Sequence, residues 1–203
     1  MTSGIPDQPD PIIVQIVNLN VVFTWAEPVS NFADILRYKL TIVQSDGVTF
    51  TEETTYCDAS QDLIRLQKFC LVPQRVLTAS PYSLTFDTLI QAKVAAFNRN
   101  GWSVESVANV ESTSLKDTIQ VVPGAITTLM EGLLTNTQQI ELEWTELISH
   151  EETGGAEITS YNIQWDKGQY GLVWEHLVGY EADMLGNDYI VTQSILPSFE
   201  YRF

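Results

Sequence analysis

Apolar and polar residues alternate in short runs along most of the chain. Val21, Phe23 and Trp25 alternate with Val22 and Thr24, and Tyr38, Leu40 and Ile42 with Lys39, Thr41 and Val43. Further on, Ile90, Ala92, Val94 and Ala96 alternate with Gln91, Lys93, Ala95 and Phe97. A period of two over five to seven residues marks a strand with one face on a core. The runs are separated by AEP (26–28), SDG (45–47) and RNG (99–101), residue types that favour turns. The stretch SQDLIRLQKF (60–69) predicts one or two helical turns, and no longer segment keeps a helical period. Many short strands with regular turn signals predict an all-β antiparallel sandwich.

The pattern recurs. Ile140, Leu142 and Trp144 repeat the run ending in Trp25, and Tyr161, Ile163 and Trp165 repeat the run starting at Tyr38. The longer Trp-to-Tyr interval of the second copy predicts an enlarged loop, TELISHEETGGAE (145–157), with Gly154 and Gly155 supplying turn freedom. Two copies predict tandem domains at 8–117 and 121–203, joined by an extended, fairly stiff linker, DTIQVVPG (117–124).

The order of Trp25, Tyr38 and KVAAFNRNGWS (93–103) resembles the fibronectin type III repeat. In that family a strand B tryptophan fills the core and a strand C tyrosine follows. Strand F of the family carries Tyr-x-Phe-Arg-Val-x-Ala-x-Asn-x-x-Gly-x-Ser. Val94, Ala96, Asn98, Gly101 and Ser103 match its last five named positions, with Lys93 in place of Arg. Ile90 and Ala92 depart from its Tyr and Phe, so a corner hydrogen bond is expected to be absent. The resemblance implies two tandem immunoglobulin-like (fibronectin type III) β-sandwiches. It places strand G of the first at VESVANVES (104–112). In the second, Tyr201 and Phe203 fit the Tyr-x-Phe start, so that domain is expected to be truncated in strand F. Ile163 and Trp165 are then expected to lie uncovered at an exposed edge, in a less stable second domain.

Composition narrows the partners. The chain has 203 residues and a net charge of −16, of which −5 falls in residues 1–120 and −11 in 121–203. Such a field repels phosphate backbones, making nucleic acid and anionic membrane poor partners. The residues MTSGIPDQPD lack the basic start and apolar stretch of a leader peptide, so none is expected there, and no apolar run nears the ~20 residues of a membrane helix. The acidic pairs and triplets Glu151-Glu152 and Glu181/Asp183/Asp188 follow no calcium-loop pattern, so no metal or other cofactor is expected.

Cys57 and Cys70 flank the helical stretch, and the second domain has no cysteine. They are either a disulfide clipping one insertion or two reduced buried thiols; their isolation favours the bridge. Trp102 follows Gly101 in the F–G turn, where it either packs at the domain junction or anchors a partner. Trp174 is open to the same two roles. His150 and His176 are isolated, and nucleophile, zinc and phosphate-loop motifs are absent. Glu141 and Glu143 are expected on the outer sheet face, as a solvated row. No catalytic residue is assigned.

Three functions fit. The first is a non-catalytic adhesion or spacer module of a larger, extracellular multidomain protein, presenting loops and sheet edges to protein or glycan partners beside neighbouring repeats of the same chain. The second is an accessory module of a large secreted enzyme. The third is a cytosolic scaffold of titin-like type, which free thiols would favour.

Overall fold

The computed structural model describes residues 2–110 and 118–203. It divides into two compact units, Met1–Gln120 and Val121–Phe203. Residue 117, where the first domain was expected to end, and residues 111 and 112 of the expected strand G lie outside the described residues.

In the first unit the alternating runs become strands. β1 (Ile13–Val17), β2 (Asn20–Thr24) and β5 (Phe69–Pro73) form one antiparallel sheet in the order β1-β2-β5. The second sheet has the order β4-β3-β6-β7, from β3 (Arg37–Val43), β4 (Phe50–Glu52), β6 (Ala92–Asn98) and β7 (Gly101–Trp102). Phe23, Trp25 and Val72 from one sheet, and Tyr38, Leu40, Ile42, Ala92 and Val94 from the other, share one buried core. Two short helices, α1 (Asp62–Gln67) and α2 (Gln74–Leu77), flank β5. The helical stretch is thus shorter than 60–69 and hands Phe69 to the sheet. Ile90, at the expected corner-tyrosine position, is fully buried in this core.

The segment after β7 departs from the expectation of a regular strand G. It lies along β6, but much of its attachment runs through side chains. The amides of Ala96, Val94 and Ala92 donate to Ser103 Oγ (3.0 Å), Ser106 Oγ (3.1 Å) and Asn109 Oδ1 (2.7 Å). Asn109 also donates from Nδ2 to the Ile90 carbonyl. Three residues of this segment therefore answer two of β6. Two strand residues advance roughly 6.7 Å, whereas an extended triplet would cover about 10 Å. The surplus puckers outward as in a β-bulge repeated along the segment, leaving Val104, Val107 and Val110 exposed.

Residues 118–124 do not form a free linker. Ile119 is fully buried in the first core, and the Gln74 side chain bonds both the amide and the carbonyl of Gln120. From Val121 onward the backbone bonds the second unit, Val121 N to Gly154 O and Gly124 N to Glu152 O. The loop that receives them is held by reciprocal bonds between Ser149 and Glu152, the pattern of a helix capping box. Gly154 has φ +68, and a Cβ there would meet the Val121 carbonyl.

The second unit repeats part of the plan. β8 (Met130–Glu131), β9 (Ile140–Glu143) and β12 (Asp188–Val191) form a sheet in the order β12-β9-β8, and β10 (Ile163–Trp165) pairs with β11 (Glu175–Val178). The Trp–Tyr pair has the same edge-to-face geometry in both units: Trp25–Tyr38 at 5.5 Å and 61°, Trp144–Tyr161 at 5.7 Å and 64°. Two expectations are corrected here. Trp165 is buried beneath Tyr201 and Phe203, whose ring centroids lie 5.8 and 6.2 Å from the indole, and Ile163 is buried in the second core. Glu141 is also buried rather than solvated, since its Oε2 turns in to accept the Leu134 amide at 2.7 Å; Glu143 is exposed as expected.

Candidate functional site

Cys57 and Cys70 are joined by a disulfide with Cα atoms 5.4 Å apart. Both are buried in the first core, and Cys70 stands opposite Phe23 in the β2–β5 register. The bridge ties the approach to α1 onto the inner face of the β1-β2-β5 sheet.

Asn98 organises the end of the first unit that carries the β6–β7 turn. Fully buried, it donates to the carbonyls of Gly4 (2.8 Å), Ser30 (3.0 Å) and Ala33 (3.4 Å), and its Oδ1 accepts the Asn100 amide. One side chain thus joins the N-terminal segment, the β2–β3 loop and the turn. On the outer sheet face beside it, Arg37 lies over Phe97 (4.4 Å) and Trp102 (5.3 Å). Trp102 packs on Phe97 at 5.0 Å, Lys39 approaches its other margin at 5.8 Å, and Lys39 pairs with Glu105 at 3.0 Å. Trp102 remains 37% exposed, a broad amphipathic surface held in place by its neighbours.

A second buried polar contact of this unit joins the Tyr82 hydroxyl to Glu53 at 2.8 Å, and burial followed by that bond pushes the phenol well up. The other Glu53 oxygen accepts the amides of Thr55 and Tyr56. These contacts fix a loop and leave no free acid for chemistry.

In the second unit, Asp166 is withdrawn from solvent. Burial would raise its carboxyl, but the amides of Arg202, Gly168 and Gly171 and the Arg202 guanidinium outweigh it and hold it at about 2. It joins the 166–171 turn to residue 202. A cleft of 790 Å³ opens between the β8–β9 hairpin and residues 195–203, with Met130, Ile140, Leu142, Phe199 and Tyr201 among its walls. His176 lies on the outer face of β11, 3.1 Å from Asn162 Oδ1 and stacked on Tyr180 at 3.8 Å. Trp174 stands exposed nearby. Among the described residues no three His, Cys, Asp or Glu side chains group closely enough to hold a metal ion. No helix among them is long and apolar enough to cross a membrane.

The Cys57–Cys70 bridge was readable from the sequence, and Trp102 lies apart from it, partly exposed beside the β6–β7 turn. The Asn98 hub and the carboxylate clasp of Asp166 were not foreseen. Asn98 carried a partial signal in NRNG, whereas Asp166 and Arg202 lie 36 residues apart along the chain.

No family model and no curated protein matches the chain. Similar solved structures include the FN1-FN3 domains of chicken CNTN1, at 15% identity over 98% of this chain and 60% of that chain, with a TM-score of 0.39. Titin domains match at 21% over 52% of this chain and 32% of that one (TM-score 0.35), and the twitchin kinase region of C. elegans at 13% over 62% and 21% (TM-score 0.38). The chain thus spans less than two thirds of each. Its own strand order, β1-β2-β5 facing β4-β3-β6-β7, and the repeated tryptophan–tyrosine pair make it all-β, with the fibronectin type III fold.

Proposed function

We propose that the chain is a non-catalytic adhesion or spacer module of a larger protein that works outside the cell, presenting loops and sheet faces to protein or glycan partners. The observation that carries this is the buried Cys57–Cys70 bridge, a bond that persists in oxidising compartments and is rare in the cytosol. Trp102 supplies the contact anchor: it is ordered by Phe97 and Arg37, yet its remaining surface faces solvent. The net charge of −16 directs the module away from nucleic acid and anionic membrane.

The test is the thiol state of the protein in its own cells. Cells are lysed into an alkylating reagent without reductant, and the peptides carrying Cys57 and Cys70 are weighed. The expected result is a bridged pair with no label. Full labelling of both cysteines would overturn the extracellular assignment and favour an intracellular scaffold. In parallel, beads coated with the chain should attach to cell surfaces, and Trp102→Ala should lower attachment; equal attachment removes Trp102 from the contact.

A further inference from the structure

The outer face of the β10–β11 hairpin carries the uncharged amides of Asn162 and Gln164 and the exposed ring of Trp174. A shallow, open surface there is lined by Asn162, Gln164, Trp174 and Phe203. Gln164 stands opposite His176 in the strand register. The ring Nδ1 of His176 lies 3.1 Å from Asn162 Oδ1 and 3.4 Å from Gln164 Nε2, and in either tautomer it bonds one of them, donating to the first or accepting from the second. Each amide has a second polar atom left for a ligand. Tyr180 stacks on the imidazole at 3.8 Å and 10°, which fixes its plane. Trp174 is 46% exposed, and neither its ring nor its indole N–H has a partner among the described residues.

We propose that this face is a binding site for a neutral sugar, one uncharged pyranose or a short chain of them, stacked on Trp174 with its hydroxyls held by Asn162 and Gln164. The site rests on the binding-module function proposed above and names one ligand class for it. A pyranose presents an apolar C–H face and a rim of hydroxyls that both donate and accept. An indole face matches the first, and amides, each with a donor and an acceptor, match the second. Charge selects against the alternatives. The second unit has a net charge of −11, and both of its cations, Lys167 and Arg202, already pair with Glu175, Asp166 and Glu200. A sulfated or carboxylated sugar would meet repulsion with no free cation of this unit to offset it.

The test uses the whole 203-residue chain, labelled with nitrogen-15 and titrated with cellotetraose, chitotriose and mannotriose as neutral probes and a heparin hexasaccharide as the anionic one. The expected result is saturable movement of the Trp174 indole N–H resonance with at least one neutral probe and none with heparin. Trp174→Ala should weaken calorimetric binding by about tenfold, the loss of one stacked ring, and Gln164→Ala by a smaller factor. Both residues are exposed, so the thermal midpoint should not move, and Trp102→Ala should bind as the unaltered chain does. No shift with any neutral probe at about 10 mM, beyond the range of a weak specific contact, overturns the site. So does a response to heparin alone, or neutral-probe binding unchanged by Trp174→Ala. Such a failure alongside bridged cysteines in cells would remove the sugar site and leave the module function standing.

Discussion

Two buried side chains act as clasps, and each can be tested alone. Asn98 satisfies three backbone carbonyls that the chain brings together from Gly4, Ser30 and Ala33. Asn98→Ala would take a donor from all three, leaving Gly4 only the Asn100 side chain, Ser30 only the Ala33 amide and the buried Ala33 carbonyl with neither, at a cost of about 1–3 kcal/mol. Urea unfolding followed in the indole resonance of Trp25, in the same core, should show the loss, while that of Trp144 stays unchanged. Asp166 makes a pH-dependent contribution. Its folded value of about 2 lies below the ordinary 3.8, so its contribution is complete above that ordinary value and is lost as the pH falls toward 2. The stability gap between the unaltered chain and Asp166→Asn should be full at neutral pH, narrow below about pH 4 and close near pH 2. A gap that persists unchanged into acid would show that the carboxylate charge is not what holds residue 202.

At the scale of elements, the bulged segment after β7 is expected to depend on its polar residues rather than its valines. Ser106→Ala removes the acceptor of the buried Val94 amide and should cost about 1–2 kcal/mol, whereas Val107→Thr, on the exposed side, should change stability by less than about 0.5 kcal/mol. Hydrogen exchange at the Val94 amide should accelerate in the first variant only. This segment also marks the limit of what the sequence discloses. The strands β2, β3 and β6 follow from strict alternation, and the recurrence of tryptophan and tyrosine announces the second unit. VESVANVES breaks that alternation: Val104, Val107 and Val110 recur at every third residue, and the polar contacts of Ser103, Ser106 and Asn109 fall at the same period, so a reading tuned to period two passes over the exchange of backbone partners for side chains. Glu141 misled for a related reason: its position on β9 indicates an outward face, but its length lets it fold back to Leu134. Trp165 was expected to be bare because strand F breaks off after its first residues, yet those residues, Tyr201 and Phe203, already reach over the indole.

Across the whole molecule, the single disulfide gives the two units different chemical sensitivities. It spans 13 residues and belongs to the first core alone. A loop of that length contributes about 3 kcal/mol in the chain-entropy description. Reductant should therefore lower the urea midpoint read at Trp25 and leave that read at Trp144 in place; equal shifts at both would mean that the units do not unfold separately. The bulged margin of the first unit has a consequence for life in company. Fibrils grow when a free strand margin offers its N–H and C=O groups at a spacing that an incoming chain can copy. Residues 103–110 set three residues against every two of β6, and the valines they push outward stand off any approaching backbone. Copies packed densely on a surface, or concentrated in a narrow space, cannot be stitched together along that flank.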